Sequence, residues 1–370
     1  MTLPGVLVVN SSPSWGGNEF WSVRLAQGLA ERGHPVRFVW SHQVVGDRVQ
    51  AAGLDGRRIP LWNDLDALGF LQLHHEMVSH RPQAVLLTRW REYLLGGLAA
   101  RLARVPRTVM GLGLKILPAD DLKRRLTFDL SDRILVNAPE IRDTLIERSW
   151  IQPGKVQVVV NGVDLDRFQP RAHGDRTAQG RRFREEHGIG PEAPFVLTIG
   201  NLTDQKDHAN LLDACARMRN QVPDLRVMIL GEGLRRGVLE QKRQELGLDD
   251  AVLMPGFVSD VLPALAAADA FVLSSDNEGM AWVLMEAAAC GLPVVTTDVS
   301  GARHCVEHGR TGLVVPPRDP AALGSALVEL LTDSVRLESF GQLARVLAEE
   351  RLDVERMLRE TADLLFSDVD

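Results

Sequence analysis

The stretch SSDNEGMAWVLMEAAACGLPVV, residues 274–295, decides the reading of this chain. It places one carboxylate, Glu278, in a glycine-containing turn. A second, Glu286, follows among Leu284, Met285 and three alanines. Phe271-Val-Leu ahead of it is the apolar end of a buried strand. Ala281 to Ala289 has helical composition, Gly291 stops the helix, and Pro293-Val-Val opens the next strand. A strand–turn–helix passage presents free backbone N–H groups and the positive end of a helix dipole, so an anion is welcome there. Glu286 is the anomaly. A carboxylate in apolar surroundings is costly unless something donates hydrogen bonds to it. Ligand hydroxyls would do so, and so would a nearby arginine; the segment alone leaves both open.

Working outward, strands and helices alternate. Strands are expected at Val6–Val9, Val36–Trp40, Ala84–Thr88, Thr108–Met110, Ile134–Asn137 and Val156–Val160, with helices near residues 18–32, 65–80, 92–103, 120–130 and 139–149. The pattern restarts with strands at Pro194–Ile199, Leu225–Leu230, Val252–Met254, Ala270–Leu273, Val294–Thr296 and Gly312–Val315. Helices are expected between them at residues 208–219 and 234–246. Strands alternating with helices imply parallel sheets covered on both faces. The predicted fold class is therefore α/β, two Rossmann-like domains with parallel sheets facing a cleft. The expected divisions are a first domain over 1–168, a linker and hinge over 169–193, a second domain over 194–350, and a C-terminal helix over 351–370 returning to the first domain. The linker is assigned because Arg171 to Arg182 is polar, rich in arginine and without hydrophobic period until Phe183, where it leads into a short helix.

A chain of 370 residues, 45% hydrophobic and 25% charged, can bury full cores and suits two or three domains. A formal charge of −7 argues against a nucleic-acid partner. The three cysteines, Cys215, Cys290 and Cys305, have no metal-like spacing and read as reduced core residues. No run approaches the roughly 20 apolar residues of a membrane span, and the N-terminus has no basic flank or long apolar stretch. The expected location is cytoplasmic, with association at the inner face of a membrane left open.

In an open α/β sheet, ligands bind outside the carboxyl ends of the strands. Ser14-Trp-Gly16-Gly17-Asn-Glu follows the first strand, and its paired glycines allow close backbone approach to an anion. Gly200-Asn201-Leu-Thr-Asp-Gln-Lys206 follows another strand, with Lys206 placed to reach a phosphate. Leu230-Gly231-Glu-Gly233 approximates a dinucleotide fingerprint, but Gly237 comes one residue late. Asp298 to His304 is a further loop after a strand. There is no P-loop, and no His/Cys cluster has zinc spacing, so no metal or bound cofactor is expected.

Together, Gly16-Gly17-x-Glu19, Asn161-Gly-Val-Asp, Gly200-x-Leu202-x-x-x-Lys206, Gly231-Glu-Gly233, Gly256-Phe257, Glu278-(seven residues)-Glu286 and Gly309-x-Thr-Gly-Leu-Val resemble the large retaining glycosyltransferase family four, of GT-B fold. The resemblance spans nearly the whole chain. It implies a metal-independent hexosyltransferase that moves a sugar from a nucleotide-diphosphate-sugar, a UDP- or GDP-sugar, to a glycan, lipid-linked or small-molecule hydroxyl. Front-face attack would retain the anomeric configuration. It assigns Lys206 and Gly17 to the donor pyrophosphate, with Gly16 beside it, and Glu286 to the ribose. Glu278 would face the donor sugar. The N–H groups of Gly279, Met280 and Ala281 would line the sugar and phosphate side, and Phe257 and Val258 would lie by the nucleobase. Synthesis of a cell-envelope polysaccharide fits such an enzyme.

Two departures stand out. Asn201 occupies the place where the family commonly has an arginine sharing the phosphate charge; Arg303 is a candidate substitute. The stretch Thr108-Val-Met-Gly-Leu-Gly113 lacks the histidine that often faces the donor sugar. On the acceptor side, Arg89, Trp90 and Tyr93 are candidates, the two aromatics as sugar-stacking platforms. Arg89, Arg91, Lys115, Lys123, Arg124 and Arg125 form a candidate basic rim. Rival readings are a sugar-nucleotide epimerase, an NAD-dependent dehydrogenase using the Gly231 loop, and a non-catalytic nucleotide-sugar binder.

Overall fold

A computed structural model describes residues 3–170, 174 and 176–367. It contains two compact units. The first takes the chain up to Val160 and again from Glu355; the second takes Asn161–Val354.

The first unit has strands β1 (Val6–Asn10), β2 (Val36–Trp40), β3 (Gly56–Arg58), β4 (Ala84–Leu87), β5 (Arg107–Leu112), β6 (Arg133–Val136) and β7 (Val156–Val158). Its helices are α1 (Gly17–Glu31), α2 (Gln43–Ala51), α3 (Ala67–His80), α4 (Trp90–Leu102), α5 (Leu122–Asp129) and α6 (Pro139–Ile146). The second unit has α7 (Arg176–Glu186), β8 (Phe195–Ile199), α8 (His208–Met218), β9 (Arg226–Leu230), α9 (Arg236–Glu245), β10 (Val252–Gly256), α10 (Leu262–Ala267) and β11 (Ala270–Leu273). It continues with α11 (Trp282–Ala289), β12 (Val294–Thr297), α12 (Ala302–Cys305), β13 (Gly312–Val315), α13 (Pro320–Leu331) and α14 (Ser334–Arg351). The last helix, α15 (Val354–Phe366), ends the described chain.

Both sheets are parallel. The first runs β3-β2-β1-β4-β5-β6-β7, with Val6 to Val9 opposite Val36 to Val39 on one side and Ala84 to Leu87 on the other. The second runs β10-β9-β8-β11-β12-β13. Strands such as Val6–Asn10 and Ala270–Leu273 are buried along their whole length, which is why they are unbroken apolar runs without alternation. Aspartates cap the helices: Asp66 accepts from Gly69 N, and Asp319 from Ala321 N and Ala322 N. The order reverses between β1 and β4 and again between β8 and β11. At each reversal the loops that follow the two strands diverge to opposite faces and leave a crevice.

α15 buries Met357, Leu358, Thr361, Leu364 and Leu365, one stripe at helical spacing. Leu358 lies over Gly28 of α1, so close that a β-carbon there would sit 2.6 Å from Leu358 Cδ1. Arg107 Nη1 donates to Leu364 O at 3.2 Å, and His34 stacks on Phe366 with centroids 4.7 Å apart.

The expected boundaries need correcting. The first unit stops at Val160, not 168, because the next residues bond within the second unit: Val163 N donates to Leu352 O at 2.7 Å and Arg345 Nη1 to Phe168 O at 2.7 Å. Part of the expected hinge, residues 171–173 and 175, lies outside the described residues. The short helix expected from Phe183 starts earlier, at Arg176, as α7. Gly180 of α7 meets Ala266 O so closely that a β-carbon would stand 2.5 Å from it, and Arg184 donates to Ala267 O and pairs with Asp269 at 2.7 Å. An arginine-rich stretch reads as solvated until these partners are known. α2, β3, α10 and α13 were also missed; α2, β3 and α10 are short, and the 2.0 Å between a Gly56 β-carbon and Phe38 O shows why β3 begins on glycine. All three cysteines are buried. Among the described residues no helix is long and apolar enough to cross a membrane.

Candidate functional site

The crevice of the second unit lies between the loop after β8 and the loop after β11. Lys206 Nζ stands 2.5 Å from Glu278 Oε1, which also accepts from Ser275 Oγ at 2.7 Å. Four further bonds hold this arrangement. Asp276 N donates to Gln205 O at 2.9 Å, Gln205 Nε2 to Asn277 O at 2.8 Å, Ser274 Oγ to Lys206 O at 3.0 Å, and Thr297 Oγ1 to Ser275 O at 2.6 Å. The stem of Lys206 lies along Gly200, with Cε 3.3 Å from where a β-carbon would be. An ammonium has three donors, so one carboxylate leaves capacity for an anion. Glu278 is buried, while Lys206 keeps partial exposure.

Gly279, Met280 and Ala281 follow, and Ala281 is the N-cap of α11 with no side-chain oxygen to satisfy the first-turn N–H groups. The positive end of the helix dipole lies at this N-cap. Glu286 is one turn further along the helix. It retains partial exposure, and the protein mass around its carboxyl pushes its pKa up to about 7, with the charge of Arg167 pulling the other way. Among the described residues its carboxyl accepts no hydrogen bond and forms no ion pair. The nearby arginine acts on it through its charge.

Phe257 is 68% exposed just past β10, an open aromatic face at the carboxyl edge of the sheet, with Val258 half-buried beside it. Asn201 is exposed. Arg303, the candidate substitute for the missing cation, makes a two-point pair with Asp298 at 2.9 and 2.8 Å. The glycines of the 231–233 loop serve the backbone. A β-carbon on Gly231 would lie 2.0 Å from Gly200 O, and one on Gly233 would lie 2.4 Å from Leu202 O. They press this loop against the Lys206 loop, and β9 is not at the reversal point, so the dinucleotide fingerprint has no structural support.

His208 escaped notice in the sequence. It is buried under the same loop. Burial first, and then the charge of Lys206, push its pKa down to about 4, while the backbone of Gly200 and Asn201 acts oppositely. A neutral imidazole there adds no positive charge. Only its position two residues after Lys206 could have drawn attention to it.

In the first unit, Gly16 caps α1 without a side chain, and Gly17 is its exposed first residue. Glu19 is buried, with Arg89 Nη2 2.6 Å from its Oε1; the same nitrogen donates to Ser12 Oγ at 2.6 Å. Arg89 is therefore committed inside its own unit. Glu92 accepts from Thr88 N at 2.5 Å, Arg89 N at 2.8 Å and Ser11 N at 2.7 Å. Tyr93 is corrected from a stacking platform to a core residue: it is 2% exposed and its hydroxyl donates to Gly111 O at 2.6 Å. Trp90 is half-buried, 5.3 Å from Tyr93 and 5.8 Å from Phe128, with the Arg124 guanidinium over its ring. Half of the basic rim is paired with carboxylates: Arg89 with Glu19, Lys123 with Asp64 and Arg125 with Asp120. β5 ends at Leu112, and Gly113 follows it without a histidine; the amides of Asn137 and Asn18 lie nearest Gly113.

Comparison with known proteins agrees with this geometry. The family described as glycosyl transferases group 1 matches residues 180–346, and Glycosyltransferase Family 4 matches residues 15–167. The crystal structure of Anabaena HepE in complex with UDP superposes with a TM-score of 0.85 at 20% identity, covering 97% of this chain and 99% of that one. N-acetyl-alpha-D-glucosaminyl L-malate synthase of Bacillus anthracis is 24% identical over 94% of this chain and 93% of its own length. D-inositol 3-phosphate glycosyltransferase of Geodermatophilus obscurus is 36% identical over 54% of this chain, and the match spans only 46% of that relative. One family accounts for the second unit and the other for the first, and the chain belongs to the GT-B glycosyltransferases of family-four type.

Proposed function

We propose that this protein is a retaining glycosyltransferase that takes a hexose from a nucleotide-diphosphate-sugar. The carrying observation is the crevice between β8 and β11, where Lys206 and Glu278 meet ahead of the N-terminus of α11, with Glu286 on that helix accepting no hydrogen bond among the described residues. Breaking a glycosyl–phosphate bond leaves negative charge on the diphosphate. Lys206, the N–H groups of Gly279 to Ala281 and the α11 dipole meet that charge, without a divalent cation. In this reading Lys206 turns from Glu278 to the phosphate when donor binds, which frees Glu278 for the sugar hydroxyls. Ribose hydroxyls donate to Glu286, and the base lies against Phe257 and Val258. The acceptor hydroxyl attacks from the side the leaving phosphate departs, and passes its proton to that phosphate.

A UDP-sugar is the preferred donor, as the HepE structures hold UDP and UDP-glucose. For the acceptor, the first unit exposes Trp62, Leu65 and Leu68 together with Leu122 and Leu126 of α5, two apolar ridges tied by the Lys123–Asp64 pair. Exposed apolar area of this kind fits a lipid-linked acceptor at a membrane surface. The test is incubation with UDP-glucose, UDP-N-acetylglucosamine and GDP-mannose, with and without lipid-linked and soluble acceptors and with a chelator present. Acceptor-dependent transfer with an unchanged anomeric configuration by NMR is expected. A free epimer formed without acceptor would instead favour the epimerase.

A further inference from the structure

We propose that Arg318 is a positioning residue for the donor: it neutralises Asp276 and so keeps the Lys206 loop attractive to an anion. This rests on the glycosyltransferase reading and adds a residue to it.

Arg318 follows β13 with a φ of +58°, in the left-handed region where a β-carbon is strained and glycine is not. Its side chain is 74% exposed, so packing does not offset the strain. What it makes instead is an ion pair with Asp276. Asp276 is a link in the clasp that joins the two loops, since its N–H donates to Gln205 O, the residue before Lys206. Strain kept on the surface without packing points to a role.

The local charges show what that role is. The clasp residues carry four carboxylates, Asp204, Asp207, Asp276 and Glu278, around Lys206. Arg235 pairs with Asp204 at 2.9 Å, and Arg318 pairs with Asp276. Asp207 also feels Arg318, though burial is the larger influence and raises its pKa. Three cations thus face four carboxylates; without Arg318 two would face four. Asn201 supplies no charge of its own. A diphosphate entering the crevice would then meet a bare Asp276 beside its only lysine, and like charges a few ångströms apart repel even in partly solvated surroundings.

The experiment compares Arg318→Gly, Arg318→Lys and the double variant Arg318→Gly/Asp276→Asn. UDP and UDP-glucose binding by calorimetry, the donor KM and kcat, and the melting temperature without ligand are measured. Arg318→Gly should melt higher than the parent, because glycine adopts that backbone freely, yet bind UDP about three- to tenfold more weakly. KM should rise more than kcat falls. Arg318→Lys should restore most of the affinity, and so should removing the Asp276 charge in the double variant. Parental UDP affinity in Arg318→Gly overturns the proposal, as does a double variant no better than Arg318→Gly. A parent chain that binds neither probe, nor GDP-mannose, overturns the glycosyltransferase reading and this role with it.

Discussion

Glu92 and Glu286 occupy comparable places in the two units, each on the first helix after a strand bordering the reversal of its sheet. Burial pushes both to a pKa of about 7. Their surroundings differ entirely. Glu92 is inaccessible and accepts three backbone N–H groups, joining the loops after β1 and β4. Glu286 is reachable from outside and accepts nothing among the described residues. A raised pKa therefore does not mark a ligand site by itself; the unused hydrogen-bonding capacity does. The same contrast holds for the cations. Arg89 is tied to Glu19 and Ser12, while the ammonium of Lys206 has one partner among the described residues and spare donors.

The sharpest way to break this comparison is Lys206→Ala. Turnover should fall about a hundredfold to a thousandfold, the loss of roughly 2.7–4 kcal/mol seen for one donor to a developing anion. A stable variant with parental turnover would remove the phosphate role. Next, the two glutamates should part ways. Glu92→Ala strands three buried N–H groups and should lose on the order of 3 kcal/mol of stability by denaturant titration. Glu286→Ala should melt no lower than the parent yet weaken UDP binding by about ten- to a hundredfold, as charged hydrogen bonds are lost. Equal effects on stability would make Glu286 another structural cap.

The third test uses pH. The folded pKa of Glu286 lies above its ordinary value, so its contribution to stability is complete below about 4.5 and is lost as pH rises through about 7. Glu286→Gln should therefore melt above the parent at pH 8 and level with it near pH 4.5. Hydroxyl donors favour the ionised form, so UDP binding should release a proton and weaken by up to about tenfold per pH unit below 7. Calorimetry in buffers of different ionisation enthalpy reads that proton directly. The smallest effect is expected from Tyr93→Phe. It removes one buried hydrogen bond, about 1 kcal/mol of stability, and should leave acceptor KM unchanged.

Much of the architecture was legible because strands of a parallel sheet are continuous apolar runs, and Val6–Val9 or Ala270–Leu273 admit few other readings. The loops after β8 and β11 were legible too, through Lys206 and Glu278. Their contact was not, because the two are 72 positions apart and only the strand order brings them together. Tyr93 misled because an aromatic near a strand end looks the same whether its hydroxyl meets a sugar or Gly111 O. The start of α7 was hidden because residues 176–182 have no hydrophobic period, and nothing in the sequence shows that Arg184 spends its donors on Ala267, Gly190, Pro191, Ala193 and Asp269. Arg318 was invisible because a left-handed backbone has no signature in an arginine.

The position of α15 has a consequence for biosynthesis. The groove over Gly28 is covered, and the carbonyl partners of Arg107 are supplied, by residues translated well after the last strand of that sheet. The strands of the first unit thus emerge before α15 and wait, with an apolar flank open, until that helix is made. A stop codon before Val354 would leave that flank bare, and such a truncated product should associate with chaperones or aggregate even though every strand of its sheet is present.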